Sequence, residues 1–220
     1  MFGLLNNGLW LLILIPLRLL ALVVHECSHG YISTKLGDPT PRYQGRLTLN
    51  PLVHLDPVGT ILMILTGFGW AKPVEVNPMY YKDRKKGMAL VAVAGPLSNF
   101  LLAFISMLIY VIFVVLSISF SLPDGLVTTI LTICTYSAQI NLCFMVFNLI
   151  PIPPLDGSRI LGMFLSNKTY YTLMQYERYS ILLIMLLSLT GMFDSIIGGG
   201  VSFFYNGIMS ILINMVNFIW

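Results

Sequence analysis

The stretch Leu22-Val23-Val24-His25-Glu26-Cys27-Ser28-His29 decides how the rest of the chain is interpreted. It places a His-Glu-x-x-His run inside an apolar segment that is predicted to be helical. Residues four apart lie on one face of a helix, so His25 and His29 can offer two imidazole nitrogens to one metal ion. Glu26 is not needed as a ligand and can take a proton from a water that the metal activates. The alternative is a pair of histidines satisfied by hydrogen bonds inside a membrane bundle.

The composition predicts an integral membrane protein. Of the 220 residues, 57% are hydrophobic and only 10% are charged, and the mean hydropathy is +0.84. A soluble domain carries about 25% charged residues. Residues 87–123 and 125–155 contain no charged residue, and each stretch is longer than the ~20 residues needed to cross the hydrocarbon layer. We therefore predict an all-α polytopic membrane protein that forms a single membrane-embedded domain over residues 1–220.

The three cysteines do not form a metal-binding or disulfide pattern. Cys27, Cys134 and Cys143 have no Cys-x-x-Cys spacing, and all three lie in apolar segments. We interpret them as small buried residues. The net charge of +3 does not indicate nucleic acid, because the basic residues cluster at the predicted membrane borders.

About five transmembrane helices are predicted. The first runs from about residue 9 to the mid-thirties, where Gly37-Asp38-Pro39 ends it. The others cover about 88–119, 126–149, 179–193 and 201–220, and Gly198-Gly199-Gly200 separates the last two. The span at 179–193 is short for a full crossing.

A re-entrant, β-hairpin-like segment is predicted after the first helix. Pro51, Pro57 and Gly59 would interrupt a helix, and Arg46–Leu49 alternates as a strand does. Basic residues flank residues 47–71 on both sides, so both ends are expected on the cytoplasmic side.

The distribution of charge predicts the orientation. Eleven of the twelve Lys and Arg residues fall on one side of the predicted bundle, and the twelfth is Arg18. The positive-inside rule then places the N-terminus outside and the C-terminus inside. The first and third spans both descend toward the cytoplasm, so their ends arrive at the same depth.

Asp156 is the candidate third ligand, because a zinc site with two histidines needs at least one more. It follows the third span, in a proline-rich turn that continues into Gly157. Asp-Gly is also a common turn signal, so the alternative is a plain turn aspartate. The matching depth of the two spans favours the ligand.

These motifs resemble the site-2 protease family of intramembrane zinc metalloproteases (peptidase family M50). The resemblance rests on the His25-Glu26-x-x-His29 run and on the segment from Asn148 to Gly157. It extends to segments resembling the short branch without PDZ or CBS domains: Gly37-Asp38-Pro39-Thr40, residues 45–51, His54-Leu55-Asp56-Pro57 and residues 69–74. The similarity covers roughly residues 23–161 and leaves the last two apolar stretches unsupported. Within the single domain we place the catalytic core at about 9–161 and the C-terminal helices at about 174–220.

The resemblance also implies the chemistry. One Zn²⁺ per chain would be held by His25, His29 and Asp156, and Glu26 would activate the water. The charge distribution, and not the resemblance, places the active site toward the cytoplasmic side of the cell membrane. The partners would be the lipid bilayer and a single-span transmembrane protein substrate, with no nucleic acid.

Four further residues are weaker candidates. Asn148 and Asn99 can hold a substrate backbone or an oxyanion, or they can bond between helices. His54 and Asp56 can enter the cavity and hydrogen-bond the zinc ligands, or they are simple turn anchors.

Two other function classes are possible. A metal transporter would spread ligands along a path or show internal repeats. A non-catalytic membrane scaffold would not need Glu26.

Overall fold

The computed structural model describes residues 8–59 and 72–219, and these residues are predominantly helical. No strand is present in the two described ranges. Their α-helices include α1 (Gly8–Lys35), α2 (Thr40–Tyr43), α3 (Arg84–Phe120), α4 (Asp124–Leu149), α5 (Asp156–Gly162), α6 (Asn167–Gln175), α7 (Glu177–Leu189) and α8 (Met192–Ile219). Two short 3₁₀ helices lie at Pro51–Val53 and Pro78–Tyr80.

Four of these helices are long and apolar enough to cross a membrane. They contain the stretches Ile13–Lys35, Arg84–Phe120, Asp124–Leu149 and Asp194–Phe218. The prediction of an all-α polytopic membrane protein is therefore confirmed. Helix α7 occupies the fourth predicted span but has only 13 residues. At ~1.5 Å per residue it is about 20 Å long, which is short of the ~30 Å hydrocarbon layer.

The break before the last helix differs from the sequence prediction. Helix α8 runs without interruption through Gly198, Gly199 and Gly200. The chain instead turns at Thr190 and Gly191, where Gly191 has a φ of +70°. A glycine in this left-handed conformation is a common helix terminator, because it carries no Cβ to clash with the preceding turn.

The expected strand at Arg46–Leu49 is not formed, and these residues adopt bends and irregular backbone. The carbonyl oxygen of Thr48 accepts a bond from Cys27 Sγ at 2.8 Å and lies 2.9 Å from His54 Nε2. Side-chain contacts therefore take up a backbone group that strand pairing would have used. The re-entrant prediction also covers residues 60–71, which lie outside the described residues.

The described chain forms two compact units. The first takes residues 8–21, 99–146 and 187–219, and its core comes from α3, α4 and α8. The core residues are Ala103, Met107, Val111, Ala138, Leu142, Met145, Ile208 and Leu212. The second takes residues 22–59, 72–98 and 147–186, and it contains both histidines of the His-Glu-x-x-His run and Asp156. The assignment of residues 1–220 to a single membrane-embedded domain remains a prediction.

Candidate metal centre

The nitrogen atoms of His25 and His29 and one oxygen of Asp156 form a small triangle. Asp156 Oδ2 lies 3.2 Å from Nε2 of each histidine, and the two Nε2 atoms are 3.0 Å apart. In a tetrahedral site with metal–ligand bonds of about 2.0–2.1 Å, neighbouring ligand atoms lie about 3.3 Å apart. All three residues are buried. The triangle therefore has the size and the donor types of a zinc site.

The orientation of His29 is fixed by the backbone of α3. Its Nδ1 lies 2.7 Å from the carbonyl oxygen of Val91. Since a carbonyl only accepts, Nδ1 carries the hydrogen and Nε2 keeps its lone pair. A second bond of this kind is the usual support of a metal-ligating histidine. Val91 is thus a contributor that the sequence motif does not reveal.

Asp156 is the first residue of α5, directly after the proline-rich turn. The turn is closed tightly at Gly157, where a Cβ would lie 2.2 Å from the carbonyl oxygen of Leu149 and 2.5 Å from that of Ile150. Only glycine permits this approach. The approach brings the start of α5 back against the end of α4 and sets the position of Asp156.

The surroundings of Asp156 suit an ionised ligand. Burial raises the pKa of its carboxyl group, but the His25 and His29 imidazoles lower it more, so the net pKa lies below its usual range. Its buried Oδ2 makes no hydrogen bond within residues 8–59 and 72–219. An oxygen lone pair that faces two imidazole nitrogens is unfavourable unless a cation or a proton lies between them. The donor set therefore fits a metal ion.

Gly95 of α3 leaves space beside the triangle. A Cβ at this position would lie 2.5 Å from His29 Nε2 and 2.6 Å from His25 Nε2. Both distances are shorter than the van der Waals separation of non-bonded carbon and nitrogen atoms. The missing side chain thus leaves room at the two ligand nitrogens, and Gly95 belongs to the site although it offers no ligand.

We expect Gly95→Ala to weaken metal binding by at least about tenfold, because the new methyl group displaces the two imidazoles. The bound metal per chain, measured after dialysis against buffered free metal, checks this. Gly125→Ala is the matched control, since a Cβ there meets nothing within 4 Å. Metal affinity equal to that of the native chain would show that the space at Gly95 is not needed.

Glu26 is held by a residue distant in sequence. Its Oε2 accepts a hydrogen bond from the backbone N–H of Val74 at 2.9 Å. The Val74 side chain is buried and lies beside Gly30, where a Cβ would be 3.2 Å from Val74 Cγ1. The extended segment 72–77 thus runs along α1 and orients the carboxylate next to His25.

A buried polar cluster anchors the far end of this segment. The Asp38 carboxylate accepts bonds from Ser33 Oγ at 2.6 Å and from the Asn77 N–H at 2.7 Å. Ser33 Oγ also lies 2.7 Å from the Tyr81 hydroxyl. Asp38 and Ser33 are fully buried. The cluster ties the end of α1 to Asn77, three residues after the Val74 amide that holds Glu26.

The described contacts of His54 and Asp56 are with backbone groups of the neighbouring loop and with Cys27. His54 Nε2 lies 2.9 Å from the Thr48 carbonyl oxygen and 3.8 Å from Cys27 Sγ. Asp56 Oδ1 accepts a hydrogen bond from the Gly59 N–H at 2.8 Å. At 3.6 residues per turn, Cys27 lies about 160–200° around α1 from the two histidines. It is therefore on the opposite side of the helix from the metal centre. These contacts favour the anchoring alternative for both residues.

The two asparagines occupy different places. Asn99 is fully buried, and its Nδ2 donates to the Ala21 carbonyl oxygen at 3.0 Å and to Asn141 Oδ1 at 2.9 Å. Both amide hydrogens are thus used between helices, which favours the structural alternative. Asn148 is half-buried in the last turn of α4. The role of either asparagine in holding a substrate or an oxyanion stays a prediction.

Comparison with known proteins agrees with this geometry. A model of Peptidase family M50 matches residues 13–191. YwhC of Bacillus subtilis, whose name proposes a zinc metalloprotease, is 38% identical over 181 residues, which are 80% of this chain and 82% of YwhC. The zinc metalloprotease MJ0392 of Methanocaldococcus jannaschii is 27% identical over 77% of this chain and 39% of its own length.

A third relative, Rip2 of Mycolicibacterium smegmatis, has a name that also proposes a zinc metalloprotease. It is 26% identical over 78% of this chain and 64% of its own length. No solved structure matches the chain. With the family match over residues 13–191 and the extent of the likeness to YwhC, the chain belongs to Peptidase family M50 and is a multi-pass membrane zinc metalloprotease.

Proposed function

We propose that this metalloprotease cleaves membrane-spanning proteins within or near the bilayer. His25, His29 and Asp156 hold the zinc ion, and Glu26 is the general base. The observation that carries the proposal is the donor triangle, whose two histidines lie on α1, a helix that is long enough to cross the membrane. His25 lies ten residues before the end of α1 at Lys35, which is about 15 Å along the axis. The site then lies below the membrane surface.

Each residue around the triangle has a separate role in peptide hydrolysis. Bound zinc supplies a Lewis acid for the scissile carbonyl and lowers the pKa of a water to about 7. Glu26 Oε1 accepts the proton of the attacking water, while Oε2 stays on the Val74 N–H. The protonated Glu26 then delivers this proton to the leaving amine. The Val91 carbonyl keeps His29 in its required tautomer throughout.

The substrate must present an unwound peptide bond. The carbonyl groups of a transmembrane helix accept hydrogen bonds within the helix, so the helix has to open before attack. The side-chain amide of Asn148 can donate a hydrogen bond to a substrate carbonyl or to the developing oxyanion. A single-span protein that unwinds locally is therefore the proposed substrate class.

The proposed orientation follows from the basic residues. The N-terminus lies outside and the site faces the cytoplasm, where regulated intramembrane proteolysis would release a soluble fragment.

The five-span prediction placed the C-terminus inside. Two observations instead support an outside C-terminus: α7 has only 13 residues, and a Cβ at Gly200 of α8 would lie 2.7 Å from Val146 near the end of α4. Protease accessibility of a C-terminal tag in oriented vesicles tests this.

The test of the function is to map the cleaved bond. We expect the native chain in lipid vesicles to cut a single-span model substrate inside its apolar segment, in the cytoplasmic half. Mass spectrometry of both fragments gives the bond. A matched substrate with a stiff poly-leucine span should be cut at least about tenfold more slowly, because the helix opens less easily. Cleavage only in soluble flanking segments would contradict the proposal.

A further inference from the structure

Helix α8 packs one apolar side against the protein, and its outward side mixes small and polar residues with exposed apolar ones such as Phe203 and Ile213. Ile208 and Leu212 belong to the core of the first unit, and Phe204, Met209 and Val216 pack against that core. The opposite face carries small and polar residues separated by three or four positions. They are all exposed: Gly199, Ser202, Asn206, Ser210 and Asn214. At 3.6 residues per turn, Asn206 points about 160° away from Ile208. We call these five residues the polar face of α8.

This polar face lies at membrane depth. The apolar stretch Asp194–Phe218 has 25 residues, and Asn206 is its middle residue. The helix also packs with the spanning helices α3 and α4, because Ile208 and Leu212 share one buried core with Met107 of α3 and Leu142 of α4. The polar face therefore meets the hydrocarbon layer unless another helix covers it.

The asparagines of this face have no hydrogen-bond partner. Neither the Asn206 nor the Asn214 side chain makes a hydrogen bond within residues 8–59 and 72–219. Exposed hydroxyl groups on α4 behave differently, since Thr129 and Thr132 donate to the Gly125 and Thr128 carbonyl oxygens of their own helix. An amide without a partner is unfavourable in lipid, because lipid chains offer no hydrogen bonds.

The shape of α8 permits close approach of another helix. A Cβ at Gly198, Gly199 or Gly207 would meet nothing within 4 Å. A shallow, open depression lies beside the polar face, between Ile211, Asn214, Met215 and Phe218. Their spacing of i, i+3, i+4 and i+7 is that of a hole that accepts one side chain of a facing helix. Small residues and side-chain amides are typical of helix contacts in membranes.

We propose that the polar face of α8 binds the same face of a second copy of this chain. A side-chain amide both donates and accepts, so two such faces related by a twofold axis satisfy each other. An apolar transmembrane helix cannot do this, because it has no free donor or acceptor. Helix α8 begins at Met192, one residue past the part that matches the protease family. The proposed contact therefore uses none of the residues assigned to the metal centre.

The test is association of the full chain in lipid vesicles. Two labelled populations are mixed, and energy transfer is measured as the protein-to-lipid ratio is lowered. We expect the native chain to associate and Asn206→Leu/Asn214→Leu to dissociate at a ratio at least about tenfold higher. The matched control is Thr129→Val/Thr132→Val on α4, which should associate as the native chain does. Unchanged zinc content shows that each variant is folded.

A second measurement keeps the proposal testable if the asparagine variant does not fold. Ser210→Cys should form a disulfide-linked dimer under mild oxidation, whereas Thr132→Cys should not, with the three native cysteines present in both chains. A native chain that stays monomeric at every ratio would overturn the proposal. The same holds if the leucine variant associates like the native chain, or if Ser210→Cys cross-links to a different protein.

Discussion

Glu26→Gln should lower the rate of substrate cleavage by about 10²–10⁴-fold, which is the usual contribution of a general base. The amide keeps the size of the side chain and can still accept the Val74 N–H through its oxygen. It cannot take a proton from water. Because Glu26 is not one of the three proposed ligands, we expect about one zinc per chain in both forms. Single-turnover cleavage in vesicles and metal analysis of the same samples give the two quantities.

Glu75→Gln is the matched control for this substitution. Glu75 is exposed in the same extended segment, and its Oε2 accepts a bond from Gln44 Nε2 at 2.7 Å. The same chemical change there should leave the cleavage rate within about twofold, because surface substitutions seldom matter. Glu26→Gln with the native rate would exclude Glu26 as the base. Glu26→Gln without zinc would show that it supports the metal.

The main features of the fold and the donor set could be predicted because they depend on local patterns. A spacing of four residues places His25 and His29 on one helix face wherever the helix lies. Uncharged stretches of more than ~20 residues indicate membrane helices. Asp156 could be predicted as the third ligand from the direction of two spans alone, because both spans end at the same depth. The structure places its Oδ2 3.2 Å from both histidines.

Other parts of the site could not be predicted because they depend on contacts between distant segments. Gly95 is 66 residues after His29, and nothing local indicates that its missing side chain faces two imidazoles. The Val74 N–H that holds Glu26 is a backbone group, which any residue except proline provides. The break at Gly191 was missed because three consecutive glycines at 198–200 are the stronger local signal. Packing on Val146 accommodates Gly200 within the helix.

Asp156→Asn should remove bound zinc and with it the activity. The amide has the same shape, but it is neutral and a much weaker ligand, and its Nδ2 can donate to an imidazole nitrogen instead. Removing residues that only support zinc ligands already costs about 10–100-fold in affinity, so we expect less than ~0.1 zinc per chain after purification. The unliganded fold should survive, because the new amide satisfies the site without a metal.

This separation of folding from metal binding can be measured by thermal unfolding. Zinc at 100 times its Kd stabilises the native chain by about 2.7 kcal/mol, since only the folded state has the site. The Tm of the native chain should therefore rise with zinc, and that of Asp156→Asn should not. Asp83→Asn is the control: Asp83 is exposed, and an asparagine there still accepts the Lys85 and Lys86 N–H groups. If Asp156→Asn keeps one zinc per chain and a zinc-dependent Tm, the third ligand is a different residue, and the 3.2 Å triangle has another role.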